Sequence, residues 1–282
     1  MPFNVTIKPA QTELIARPGA TITQAYTITN NSPESVTLTS DVLPWIPSGT
    51  DGSVSYQQTK NNPFIQFSLN NSDLALGQQF TLLPGQNRQL VLKIKSATDI
   101  PIADSYYTFF ISQNFSNTIT SQNQSSASGR IGSHLLLSFS NSENVNPKLS
   151  IHNLSITPRF KDIFFSTINV NGQIRNDSPH YHQPSGKITI IKNNLIIKEQ
   201  EIFPQNVLGH SSRDLTCLKD NQPIPCIFSP PFWPGQYIIN IQVESTSVTS
   251  SFFVFPYAAI IICFILLTLI LIRRKFIHRH ET

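Results

Sequence analysis

The chain has 282 residues and a formal net charge of +4, yet only 13% of it is charged. Four Arg or Lys and one Glu stand from Arg273 onward, so everything before them carries about +1, which excludes a basic face for nucleic acid. Ser, Thr, Asn and Gln fill the polar positions beside 20 Pro and many β-branched and aromatic residues, a composition of surface β-domains rather than of cytosolic enzymes or disordered chains.

Residues 3–140 alternate in the two-residue period of strands. Ile22, Gln24, Tyr26 and Ile28 share one face of TITQAYTIT, and Leu90, Leu92 and Ile94 share one face of RQLVLKIK. Asp51-Gly52 reads as a hairpin turn, and Pro18-Gly19, Pro84-Gly85 and Pro234-Gly235 each read as a type II turn before a strand. The spacing predicts a first immunoglobulin-like sandwich over residues 1–140, with a polar loop at 114–128, and a linker over 141–148. A second sandwich over 149–250 has about seven strands. The fold class is thus all-β, two immunoglobulin-like sandwiches, followed by one helix.

That helix is predicted over 252–272, FFVFPYAAIIICFILLTLILI, which carries no charge. At 1.5 Å per residue its length matches a hydrocarbon core of about 30 Å. Its Val, Ile, Leu and Phe favour insertion by roughly 5 kcal/mol. Arg273, Arg274, Lys275 and Arg279 follow and set the topology: a single-pass protein of the cell membrane, with the tail 273–282 inside and residues 1–250 outside. The start, MPFNVTIKPA, has neither a basic nor an apolar leader region. That leaves a removed leader, a misassigned start or a tail anchor.

Of three cysteines, Cys263 lies in the apolar run, while Cys217 and Cys226 are close enough to close a small disulfide loop. His180 and His182 form an H-x-H pair on which a metal could be imagined, but their Pro- and Gly-rich surroundings read as a solvated loop. His210, Asp214 and Cys217 fall within eight positions, a spacing compatible with a nucleophile cluster that a disulfide would disarm. No G-x-S-x-G, H-E-x-x-H or P-loop motif occurs, and no catalytic residue, metal or cofactor is expected. Trp45 and Trp233 are each flanked by Pro, hence candidate ligand-contact residues of loops, or plugs at the edge of the core. N-x-S/T sequons stand at Asn4, Asn30, Asn70, Asn114, Asn123, Asn153 and Asn176.

The succession FNVTIKP, RPGATITQAYTITNNS, DGSVSY, LLPGQNRQLVLKI and DSYYTFF, then GQIRNDSPHYHQPSGKITI, FPQNVLGHSSRDL and WPGQYIINIQV, resembles the WxL-interacting proteins of bacterial cell surfaces. The resemblance implies a peptidoglycan-binding immunoglobulin-like domain, a second such domain implicated in host binding, and a C-terminal anchor. No binding residue is carried over from it. The expected function is a membrane-anchored extracellular protein that binds cell-envelope polymer or another surface protein. The alternative is a non-catalytic anchoring subunit of a secretion or enzyme complex.

Overall fold

The computed structural model describes residues 3–57, 62–71, 73–113, 129–141, 147–163, 167–229 and 232–279, with helix side chains as far as Arg273. The expected 114–128 loop, and 142–146 of the expected linker, lie outside the described residues. The chain forms two compact units: Met1–Pro147 with Asp177–Tyr181 and Leu208–Ser211, and Lys148–Asn176 with His182–Val207 and Ser212–Thr282.

In the first unit the strands are β1 (Val5–Lys8), β2 (Gln11–Ala16), β3 (Thr21–Asn30), β4 (Val36–Pro47), β5 (Val54–Tyr56), β6 (Ile65–Leu69), β7 (Gln79–Leu82), β8 (Asn87–Ser96), β9 (Asp104–Gln113) and β10 (Arg130–Phe139). One sheet runs β1-β3-β8-β6; the other runs β2-β10-β9-β4-β5, with β7 beside β4. Alternation explains the pairing. Tyr26 stands opposite Leu90 and Ile22 opposite Ile94, so the apolar faces of β3 and β8 turn the same way. The sheets meet face to face through Tyr26 on Phe109, 4.8 Å between ring centroids, and Phe67 on Tyr107, 4.7 Å. At Arg17–Ala20 and Leu83–Gln86 a backbone hydrogen bond closes the turn, with Gly19 at φ 79° and Gly85 at φ 70°, the left-handed third position of type II. Gly235, at φ 135°, instead opens a strand, so the third Pro-Gly is not a repeat of the other two.

The second unit comprises β11 (Leu149–Thr157), β12 (Phe160–Lys161), β13 (Ile168–Asn176), β14 (Gly186–Lys192), β15 (Leu195–Glu201), β16 (Ser212–Asp214), β17 (Cys217–Lys219), β18 (Gln222–Ile224), β19 (Ile227–Phe228), β20 (Gly235–Val243), β21 (Thr246–Val254) and the helix α1 (Tyr257–Arg279). One sheet runs β11-β13-β16 with β19 on β13, the other β12-β21-β20-β14-β15, and β17 and β18 form a hairpin of their own. The expected strand RDLTCL is divided between two partners: Leu215 N–H still bonds Gly172 O of β13, 2.9 Å, whereas Cys217 pairs with Ile224 of β18. Inward residues of the five-stranded sheet, Ile188, Ile190, Tyr237, Ile239, Ile241, Phe252 and Val254, are all buried.

Phe252–Val254, the expected start of the membrane segment, belong to β21: Phe252 stacks on Tyr237 at 5.1 Å and Val254 is fully buried, so packing in the sandwich overrides hydropathy there. The helix begins at Tyr257, where Asp162 accepts the Ala258 N–H at 2.9 Å. Its aliphatic side chains from Ile260 to Ile272 are about half exposed all along its length. Among the described residues no helix is long and apolar enough to cross a membrane. The expected single-pass anchor is corrected accordingly, and with it the cell-membrane location and the extracellular placement of residues 1–250. Arg273 is exposed; the side chains of Arg274, Lys275 and Arg279, the other expected topology determinants, lie outside the described residues.

Candidate functional site

The residues singled out in the sequence scatter. Trp45 is not in a loop but within β4. It is 5% exposed, stacked on Tyr106 at 4.9 Å and edge-on to His134 at 5.3 Å, so it packs the first unit rather than facing a ligand. Trp233 is 79% exposed. Its carbonyl accepts from Tyr237 Oη at 2.7 Å and Lys192 Nζ at 3.3 Å, which fixes the backbone under a free indole.

The H-x-H pair divides. In the first unit His180 Nδ1 lies 2.9 Å from Asp104 Oδ1 and 2.8 Å from Ser138 Oγ. In the second unit His182 Nε2 lies 3.7 Å from Glu244 Oε1. Among the described residues no group of three His, Cys, Asp or Glu side chains could hold a metal.

Ser138, His180 and Asp104 are the three residue types of a hydrolase triad, but the wiring is wrong. A triad needs serine and carboxylate on opposite ring nitrogens, so that one nitrogen takes the serine proton while the other donates. Here both contact Nδ1. A carboxylate oxygen only accepts, so Nδ1 carries hydrogen and cannot take one from Ser138. The remaining Asp104 oxygen accepts from Tyr106 Oη at 2.9 Å and from the Tyr181 N–H. Burial, then the Asp104 charge, pushes the Tyr106 phenol up; burial, then Glu13, does the same for Tyr181. His180, Ser138 and Asp104 are all nearly inaccessible. This is a satisfied polar knot that organises the loop, and its only sequence signal is an Asp at the head of the aromatic strand β9.

The imagined nucleophile cluster dissolves too. Cys217 is fully buried and disulfide-bonded to Cys226, with Cα atoms 5.0 Å apart. Asp214 accepts from Gln173 Nε2 at 3.2 Å, and His210, at φ 54°, belongs to the first unit. Of the sequon residues, Asn30 and Asn176 are fully buried, and Asn114 and Asn123 lie outside the described residues.

What converges is a surface on the second unit, on the outward face of the five-stranded sheet. Register places Phe160 beside Phe253 on β12 and β21, while Ile238, Ile191 and Ile196 stand in one row across β20, β14 and β15. Phe160 is 75% exposed and Ile196 60%; Ile238 and Phe253 are exposed as well. At roughly 4.8 Å between strands this apolar stripe is about 19 Å wide. Lys192 Nζ, 2.8 Å from Pro234 O, ties the β14–β15 hairpin tip to the loop of Trp233. Asn193 and Asn194, at φ 49° and 62°, give that hairpin its two-residue turn.

Further along the same sheet lies a groove of about 540 Å³, lined in part by Lys187, Glu199, Glu201, Gln242 and Glu244. Gly186 is required at its floor, since a Cβ there would come within 2.3 Å of Gln242 O. Lys187 pairs with Glu199 at 3.1 Å. Glu244 accepts from Ser185 N–H at 2.8 Å, and this bond above all holds its carboxyl below the usual range. Glu201 has no ion-pair partner among the described residues.

No family model matches the chain, and no curated protein matches it. Similar solved structures include the class 5 fimbriae chaperone CfaA, 13% identical, covering 88% of this chain and 98% of that one with a TM-score of 0.44. The Escherichia coli chaperone DraB is 12% identical, covering 89% and 97% with a TM-score of 0.41. The Pseudomonas aeruginosa chaperone CupB2 is 14% identical, covering 89% and 100% with a TM-score of 0.39. At such values the likeness determines no function for this chain. The expected resemblance to WxL-interacting proteins is corrected: the similar structures are chaperones, CfaA a fimbriae chaperone among them, and nothing found supports peptidoglycan binding. The membrane-anchored envelope-binding function and the anchoring-subunit alternative both required the span, and fall with it.

Proposed function

We propose that this all-β protein is a non-catalytic protein-binding molecule whose second unit docks a partner protein on the outward face of its five-stranded sheet. One observation carries this: two apolar groups, Phe160 with Phe253 and Ile238 with Ile191 and Ile196, stand on one outward sheet face, stepped by two residues between β21 and β20, where scattered polar residues would be ordinary. The polar knot at His180 and the disulfide-bonded Cys217 favour a structural over a catalytic role for the remaining reactive side chains.

The test is selection of binders from an unbiased displayed-peptide library against the full chain, followed by comparison with Phe160→Ser and Ile238→Ser. Both side chains are exposed, so the fold should survive. Loss of a central apolar anchor should weaken binding by about thirtyfold, on the order of 2 kcal/mol. Selected peptides indifferent to both substitutions would sink the proposal.

A further inference from the structure

Resting on that reading, we infer that the partner presents basic residues about 15 Å from its apolar contact, and that Glu201 and Glu244 receive them. The sheet face is graded. Along β15 the outward residues change from Ile196 to Glu199 and Glu201, and along β14 from Ile191 through the buried Thr189 to Lys187. Four to five residues at roughly 3.4 Å each separate the two ends. At the acidic end three carboxylates line one groove against a single Lys187, which Glu199 already occupies. Glu201 faces Lys187 in register but has no ion pair among the described residues, and Glu244, held by its Ser185 bond, has only His182 close by, at 3.7 Å. Two charges beside an apolar stripe favour a ligand that carries apolar and cationic groups together. The same charges disfavour an anionic lipid surface, which the stripe alone would admit.

The probe is a synthetic peptide with Trp-Leu at one end and Lys-Arg at the other, separated by about four Ser and Gly residues to span the face. A control carries Glu-Glu in place of Lys-Arg. Binding to the full chain is read by amide chemical-shift changes, which also locate the site. The basic peptide should shift β14, β15 and β20 amides and bind about tenfold more tightly than the control. Glu201→Lys with Glu244→Lys should abolish that preference, and Phe160→Ser should weaken both peptides. If both bind equally on the sheet face, the docking face stands and the charge inference is overturned. If neither perturbs these strands, the docking face itself is overturned. A third arm uses vesicles of phosphatidylcholine with phosphatidylglycerol: flotation of the chain that Phe160→Ser abolishes would make the stripe a lipid surface and overturn both.

Discussion

Replacing Lys161 by Met should stabilise the protein. Lys161 lies on β12 in register with Val254, pointing into the second unit, and is fully buried. Its ammonium has no hydrogen-bond partner among the described residues; it stands 4.3 Å over the Phe232 ring, with Lys198 Nζ 5.0 Å from the same ring. Burial, and then the Lys198 charge, lowers its pKa from 10.5 to about 8. At about 1.4 kcal/mol per pH unit, carrying the proton in the folded state costs up to roughly 3 kcal/mol near neutrality, which the ring contact offsets in part. Methionine keeps the volume and the ring contact without the charge, so a gain of about 1–3 kcal/mol is expected. The pH dependence separates this from ordinary repacking. Below pH 8 the lysine is protonated folded and unfolded, and the cost is present in full. Between pH 8 and 10.5 the unfolded chain holds more protons, so wild-type stability gains on the variant as pH rises. Urea unfolding of both proteins, followed by circular dichroism at about pH 7, 9 and 10.5, reads the difference directly. A variant less stable than wild type at neutrality, or a gap that does not close with pH, would refute the argument.

Asp104→Ala removes the acceptor shared by His180, Tyr106 and Tyr181 inside the first unit, and should cost about 3–5 kcal/mol in chemical unfolding. Replacing Cys217 and Cys226 together by Ala should cost about 2–3 kcal/mol, the chain entropy of a loop spanning 9 positions, measured under identical non-reducing conditions. Lys198→Leu should make the chain self-associate with concentration in sedimentation velocity, because it removes a charge from the inward side of an edge strand.

Much of the fold is legible because strand alternation is a local signal. Tyr26 with Ile28, and Leu90 with Leu92 and Ile94, announce both their strands and their shared inward face before any partner is known. The Pro-Gly turns at Gly19 and Gly85 are legible for the same reason, since a left-handed φ is a property of one residue. Gly235 shows where this stops: the same dipeptide adopts another conformation once Tyr237, two residues on, is claimed by the core. Of the two readings of Trp45, its flanking prolines suggest the loop, but β4 runs through Pro44 and Pro47 near its end and the buried indole fits the core plug. The candidate site was hidden because it exists only in register. Phe160 and Phe253 are 93 positions apart, and no window of sequence brings them together.

The choice of a sheet face over a sheet edge follows from how β15 is built. It is the last strand of its sheet, and LII at its start would make an open edge an invitation to further strands. Two features oppose that. The pairing shifts between Ile190 and Ile191, leaving Ile197 as the extra residue of a bulge, which bends the strand and interrupts any ladder along it. Next to it Lys198 stands opposite the buried Ile190 and reaches inward to the Ser229 carbonyl, placing a charge where an added sheet would need an apolar residue. Both are devices that keep edges from pairing, and neither touches the outward row at Ile196, Ile191 and Ile238. A strand guarded along its backbone and left apolar on its face admits a partner that packs side chain against side chain. The exposed isoleucines therefore point to the sheet face, and not the strand edge, as the place for the proposed contact.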